Sequence, residues 1–77
     1  MAGFIRIKLF ATLAPKLPAD ADRYPIGEQT SVADVLADLQ IPENQAKLIF
    51  VNGRKTAKDV RLEDGDRLGV FPPVGGG

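Results

Sequence analysis

The chain has 77 residues and a mass of 8.3 kDa, which is enough for one small domain. It contains neither Cys nor His, so thiolate and imidazole metal sites and Ser-His or Cys-His nucleophile pairs are excluded. Ten basic side chains balance ten acidic ones, and a zero net charge argues against a dedicated binder of nucleic acid or of an anionic membrane. Since the sequence also lacks a signal-peptide core and a long apolar stretch, we expect a cytoplasmic protein.

The N-terminal third predicts two strands. Residues 4–10 alternate, with three apolar side chains on one face and charged or aromatic ones on the other; the apolar set is Ile5, Ile7 and Leu9. Residues 11–21 contain two prolines and predict a loop with at most one helical turn. Residues 22–26 predict a second strand, which Pro25 confines to an edge because proline donates no hydrogen bond.

One amphipathic helix is predicted over residues 31–40. Ser31 is a good N-cap, and Asp34 three residues later resembles a capping box. Apolar residues follow at helical spacing and form one stripe, made of Val32, Val35, Leu36 and Leu39. Pro42 is expected to end the helix, because the residue before a proline disfavours helical backbone angles.

The C-terminal half predicts a hairpin and a last strand. Residues 48–51 form an apolar run that ends in Asn52-Gly53, a pair typical of tight hairpin turns, and residues 55–58 form the short return. Gly65 allows a turn within residues 62–66, and residues 67–71 form the final strand. A helix with one apolar face must pack on a sheet, so we expect an α+β domain with a mixed sheet in which a right-handed crossover sets the last strand beside the first.

Two clusters of charge are weaker candidates for a site. The acidic group at residues 63–66 lacks the remaining ligands of a calcium loop, so we interpret it as a solvated turn. Basic side chains gather around the hairpin, at Arg54, Lys55, Lys58 and Arg61. We interpret these as a solvated face, whose only other role would be to steer an acidic partner.

The C-terminal tail, residues 72–77, carries the functional signal. Pro72 and Pro73 favour an extended path, and Val74 is followed by Gly75, Gly76 and Gly77. Glycine has no Cβ, so such a tail fits a narrow channel and can present the terminal carboxylate to another protein's active site. The alternative is a frayed end or an expression scar, and the proline pair beside a complete domain argues against it.

The sequence resembles the ubiquitin-like sulfur carriers (MoaD/ThiS-like), most closely the small subunits of molybdopterin synthases. The likeness spans almost the whole chain, and its most specific element is the ending Phe71-Pro72-Pro73 with terminal glycines. It is also carried by the opening strand, the start of the helix, the Val51-Asn52-Gly53 turn and residues 63–71. The family usually has Ala or another small residue before its diglycine, and Gly75 holds that place here.

The resemblance implies a ubiquitin-like β-grasp domain over residues 1–71, with four or five strands on one main helix, and an extended, flexible tail over 72–77. It implies no enzyme and no bound cofactor: an activating enzyme of the ubiquitin-activating type would use ATP and magnesium to adenylate Gly77. A cysteine desulfurase or rhodanese-type donor would then convert it to a thiocarboxylate. The sulfur would pass to a pterin precursor of the molybdenum or tungsten cofactor in a large catalytic subunit.

Other functions remain open for the same fold. Carriers of the thiamine pathway and protein modifiers that are attached to lysines share the diglycine, and a plain β-grasp interaction module would need no active tail. For any of them, strand alternation points Phe50 and Phe71 away from the helix, and we expect these two rings to bind the partners. Phe4 and Phe10 are expected at the rim, unless the loop over residues 11–21 covers Phe10.

Overall fold

The computed structural model describes residues 3–73 and contains one α-helix and one five-stranded sheet. The elements in chain order are β1 (Gly3–Leu9), β2 (Tyr24–Ile26), α1 (Val32–Asp38), β3 (Leu48–Val51), β4 (Arg54–Lys55) and β5 (Arg67–Phe71). Short 3-10 helices occupy Ala11–Lys16, Ala21–Arg23 and Glu43–Gln45. Within residues 3–73, no helix has the length and apolar character needed to cross a membrane.

The strands are ordered β2-β1-β5-β3-β4 across the sheet. β1 and β5 pair in parallel, whereas the other neighbours are antiparallel. The first and last strands therefore lie side by side at the centre, as predicted, and β2 is an edge strand, as Pro25 requires. This mixed sheet with one packed helix is the β-grasp arrangement.

The core lies between the sheet and α1. Alternate residues of β1 and β5 point into it, and Ile5, Leu68 and Val70 are at most 1% exposed. The helix contributes Val32, Val35 and Leu36. Leu13 is also fully buried, although the sequence placed it in a loop. The 3-10 helix over Ala11–Lys16 turns this side chain into the core. The sequence did not predict this, because one large apolar residue in a short helix leaves no periodic pattern.

The two ends of α1 are formed by different means. At the start, the Ser31 hydroxyl accepts from the Asp34 amide at 3.1 Å, and the Asp34 carboxylate accepts from the Ser31 amide at 2.9 Å, which confirms the capping box. At the end, the prediction was wrong: the helix stops at Asp38, well before Pro42. Gln40 takes a left-handed φ of 60°, and its amide bonds to Ala37 while the Ile41 amide reaches Leu36, as in a Schellman motif.

Both turns of the C-terminal half have the predicted geometry. Asn52 and Gly53 have φ values of 54° and 82°, as a type I′ hairpin turn requires. Gly65 has a φ of 89°, a conformation that favours glycine. The return strand was misplaced, since it covers Arg54–Lys55 and not residues 55–58.

Candidate functional site: the outer sheet face and the base of the tail

Three phenylalanine rings meet on the face of the sheet that is turned away from α1. Phe10 and Phe71 are stacked, with ring centroids 4.1 Å apart and planes 1° from parallel. Phe50 meets Phe71 edge-on, at 5.7 Å and 79°. We call Phe10, Phe50 and Phe71 the aromatic cluster. Its rings are half-buried or exposed, so it presents an apolar surface on the outside of the domain.

The strand register explains the cluster. Leu9 and Val70 pair across β1 and β5, so Phe10 and Phe71 follow as neighbours on the opposite face. Phe50 pairs with Gly69 across β3 and β5. Because Gly69 lies two residues before Phe71 in β5, Phe50 and Phe71 are on the same face of the sheet. Phe50 and Phe71 therefore point away from the helix, as predicted. Phe10 is 36% exposed, so the segment that follows it leaves the ring accessible.

A groove of about 320 Å³ runs beside the cluster, and we call it the outer groove. It is lined by Arg6, Lys8, Phe10, Phe50, Gly53, Arg67, Leu68, Gly69 and Phe71. A Cβ added to Gly69 would lie 3.7 Å from the Phe10 ring, an ordinary contact distance, so a side chain could begin at this position of the groove wall without a clash.

The cations of the outer groove differ from those that the sequence singled out. Arg6, Lys8 and Arg67 are exposed and line the groove, whereas Lys58 and Arg61 do not. Lys58 instead lies 3.5 Å from Glu43 in an exposed ion pair. The signal for these cations was the outward-facing half of the strand alternation, which the sequence analysis did not use. This group of cations could not be predicted from either strand alone, because Arg6 and Arg67 meet only when β1 and β5, from opposite ends of the chain, pair in parallel.

The tail begins where the sheet ends. At the end of β5, the Phe71 carbonyl accepts a hydrogen bond from the Lys47 amide, at 2.8 Å. Pro72 and Pro73 have no amide hydrogen, so they cannot extend the ladder. Pro72 is buried and Pro73 is exposed, which anchors the base of the tail next to the aromatic cluster. The predicted tail-threading residues Val74, Gly75 and Gly76 and the predicted reactive residue Gly77 lie outside the described residues.

The acidic turn over residues 63–66 forms hydrogen bonds to two other segments of the chain. Asp64 accepts from the Phe4 amide at 2.9 Å. Asp66 accepts from the Asn52 side chain at 2.9 Å and from the Glu63 amide at 2.8 Å, while Asn52 in turn accepts from the Arg67 amide. The carboxylates of Asp64 and Asp66 are thus occupied by hydrogen bonds between turns. Over residues 3–73, no group of carboxylates is arranged to hold a metal ion.

Comparisons with known proteins agree with this fold. A sequence model described as the ThiS family matches residues 7–77. The putative molybdopterin converting factor, subunit 1, from Pyrococcus furiosus is 31% identical, with a TM-score of 0.61 over 94% of this chain and 99% of that one. SAMP1 from Haloferax volcanii is 26% identical, with a TM-score of 0.66 over 97% of this chain and 100% of that one.

A more distant structure shows the fold alone. It is a chain in the complex of subunits 1 and 2 of molybdopterin-converting factor from Helicobacter pylori. That chain is 23% identical, with a TM-score of 0.52 over 100% of this chain and 100% of that one. No curated protein matches the chain significantly by sequence. Because the family match extends over nearly the whole sequence and a relative above 30% identity spans it, the chain belongs to the ThiS family of ubiquitin-like sulfur carriers.

Proposed function

We propose that this chain is the sulfur-carrying small subunit of a molybdopterin synthase. In this proposal, Gly77 acts through its main-chain carboxylate. The observation that carries the proposal is the family match over residues 7–77, which includes the glycine tail, together with the likeness to a putative molybdopterin converting factor subunit 1. The Phe71-Pro72-Pro73 segment supports the choice of the molybdenum or tungsten cofactor over the thiamine pathway.

The proposed chemistry needs no acid, base or nucleophile on this chain. A carboxylate is a poor electrophile, so an activating enzyme would first transfer AMP from ATP to Gly77, with magnesium bound to the nucleotide and pyrophosphate leaving. The terminal sulfur of a persulfide on a cysteine desulfurase or rhodanese-type donor would then attack the acyl carbon and release AMP. A thiol would cleave the sulfur–sulfur bond of the resulting acyl disulfide, which leaves the thiocarboxylate on Gly77 and a disulfide on the donor side. The resulting thiocarboxylate would give its sulfur to a pterin precursor in the large subunit.

The geometry supports separate roles for the domain, which would bind the partner, and for the tail, which would carry the reactive group. The aromatic cluster offers an apolar contact for a partner, and buried Pro72 fixes the tail's starting point beside it. A partner docked on Phe71 and Phe50 would therefore receive residues 73–77 at a defined place. In the Helicobacter pylori complex, a chain of this fold is found together with a second subunit.

Genetic complementation tests the pathway. In a host strain from which the gene for this chain has been deleted, the full chain should restore molybdopterin synthesis, and a chain without Gly76 and Gly77 should not. Thiamine synthesis should be unaffected in the same strain. Loss of thiamine with normal molybdopterin would contradict the proposed pathway, and full activity of the shortened chain would contradict any carrier function.

A further inference from the structure

The outer groove combines an apolar floor with positive charge. Arg6 pairs in register with Arg67 across the two central strands, and Lys8 pairs with Gly69 next to the aromatic cluster. All three cationic side chains are exposed, and none of the residues that line the groove is acidic. The zero net charge of the chain therefore conceals a groove whose charged lining residues are all cationic.

One acidic side chain lies close to these cations, since Asp22 lines a neighbouring pocket together with Arg6 and Arg67. Other acidic side chains lie further away. Asp34 and Asp38 are exposed on α1, on the far side of the sheet. Asp66, near the start of β5, is occupied by the Asn52 side chain and the Glu63 amide. Throughout residues 3–73, no carboxylate forms an ion pair with Arg6, Lys8 or Arg67. Their charge is thus available to a partner.

We propose that the outer groove docks an acidic protein surface that inserts an apolar side chain over Gly69. This inference rests on the proposed function and specifies the docking face of the activating enzyme: carboxylates opposite Arg6, Lys8 and Arg67, and an apolar residue that fills the space beside Phe50 and Phe71. Complementary charge raises the association rate, while the apolar contact supplies most of the affinity.

A nucleic acid is the other class of ligand that cations beside aromatic rings suggest. Single strands bind by stacking each base on an open ring face. Here Phe10 and Phe71 cover one another, and Phe50 directs an edge at Phe71. The rings therefore use much of their stacking capacity within the cluster, which favours a protein partner.

The test measures the association rate of the full chain with the ubiquitin-activating-type enzyme of the same genome, between about 20 and 500 mM NaCl. One variant removes the groove cations by Arg6→Gln, Lys8→Gln and Arg67→Gln. A control removes the same charge elsewhere by Lys47→Gln, Lys58→Gln and Arg61→Gln, at positions that do not line the groove. Circular dichroism verifies that both variants are folded.

We expect the groove variant to associate about tenfold more slowly at low salt and to lose most of its salt dependence, because steering by complementary charge is screened. The control should stay within about threefold of the unmodified chain, since charges away from the contact act weakly. Equal slowing in both variants, or an association rate that does not change with salt, would overturn the inference.

Two further measurements separate the possible failures. Gly69→Leu places a side chain in the groove without blocking the backbone, and it should weaken equilibrium binding at least tenfold; unchanged binding would contradict the apolar insertion. Tighter binding of a thymine oligonucleotide of about 12 bases than of the enzyme would favour nucleic acid instead. Thiocarboxylate formation on Gly77, measured at a saturating concentration of the activating enzyme, tests the proposed function separately. Normal thiocarboxylate formation together with a salt-independent association rate would contradict only the inference about the groove. Absence of thiocarboxylate formation would contradict both the inference and the proposed function.

Discussion

The rings of Phe10 and Phe71 lie parallel, with 4.1 Å between their centroids, although 61 positions separate them in the chain. Parallel pairing of β1 and β5 creates this contact, because Phe10 and Phe71 each directly follow a member of the Leu9–Val70 pair. The ring that stacks on Phe10 is also the last residue before Pro72. The stack therefore joins the fold of the domain to the position at which the tail begins.

The first prediction concerns the energy of this stack. In a double-mutant cycle of Phe10→Leu and Phe71→Leu, we expect a coupling energy of about 0.5–1.5 kcal/mol, which is typical of aromatic pairs beyond the area that they bury. Urea unfolding of the four proteins measures it. A coupling energy near zero would show that the two rings are adjacent without stabilising one another.

The second prediction separates docking from folding. Phe71→Asp should weaken binding of the activating enzyme by at least tenfold, because it places a carboxylate where the apolar contact is expected. Phe4→Asp is the matched control, since Phe4 is 41% exposed, its ring lies against the Arg23 guanidinium and it does not line the outer groove. Titration calorimetry on folded variants checks both. Equal losses in the two variants would remove Phe71 from the contact.

The third prediction concerns the Asn52–Asp66 contact, in which an amide nitrogen donates to a carboxylate at 2.9 Å. Asn52→Asp keeps a residue that tolerates the left-handed turn but sets two carboxylates face to face. We expect a loss of about 1–2 kcal/mol in unfolding free energy at neutral pH, with partial recovery as the pH falls below about 5. Asn44→Asp, at an exposed position, is the control. Similar losses in both variants would contradict the proposed role of this contact.

The fourth prediction is a pH dependence at the start of α1. Hydrogen bonds from the backbone amide and then the hydroxyl of Ser31 hold the pKa of Asp34 below its ordinary value of 3.8. A lowered pKa in the folded state means that this contribution to stability is complete above the ordinary value and is lost as the pH falls through the lowered one. An NMR titration of the Asp34 carboxyl group measures the pKa. In Ser31→Ala it should move upward; an unchanged pKa would exclude the hydroxyl as a cause.

Local patterns in the sequence predicted most of the fold. Alternation in residues 4–10 predicted β1 and its buried face, and the spacing of Val32, Val35 and Leu36 predicted α1. Asn52-Gly53 and Gly65 predicted two turns whose backbone angles require such residues. These signals are local because hydrogen-bonding geometry repeats within a few residues.

Features that depend on distant contacts were not predicted. Gln40 ends α1 in a left-handed conformation that a glutamine does not signal, and the Lys16 side chain donates to its carbonyl from another part of the chain. The cationic side of the outer groove needs β1 and β5 in register. Alternation predicted that Phe50 and Phe71 share a face, whereas the stack of Phe10 on Phe71 emerges only from the folded sheet.

The most direct test of the central claim is the mass of the C-terminal peptide of this chain, purified from its native host with the end of the tail intact. The account predicts a fraction in which sulfur replaces one oxygen of the Gly77 carboxylate, and a shift of that fraction back to the oxygen form when the activating enzyme is deleted. A peptide joined to lysines of other proteins, with no sulfur-containing form, would instead identify a protein modifier. Residues beyond Gly77 in the mature chain, or full activity with a blocked carboxylate, would contradict the account.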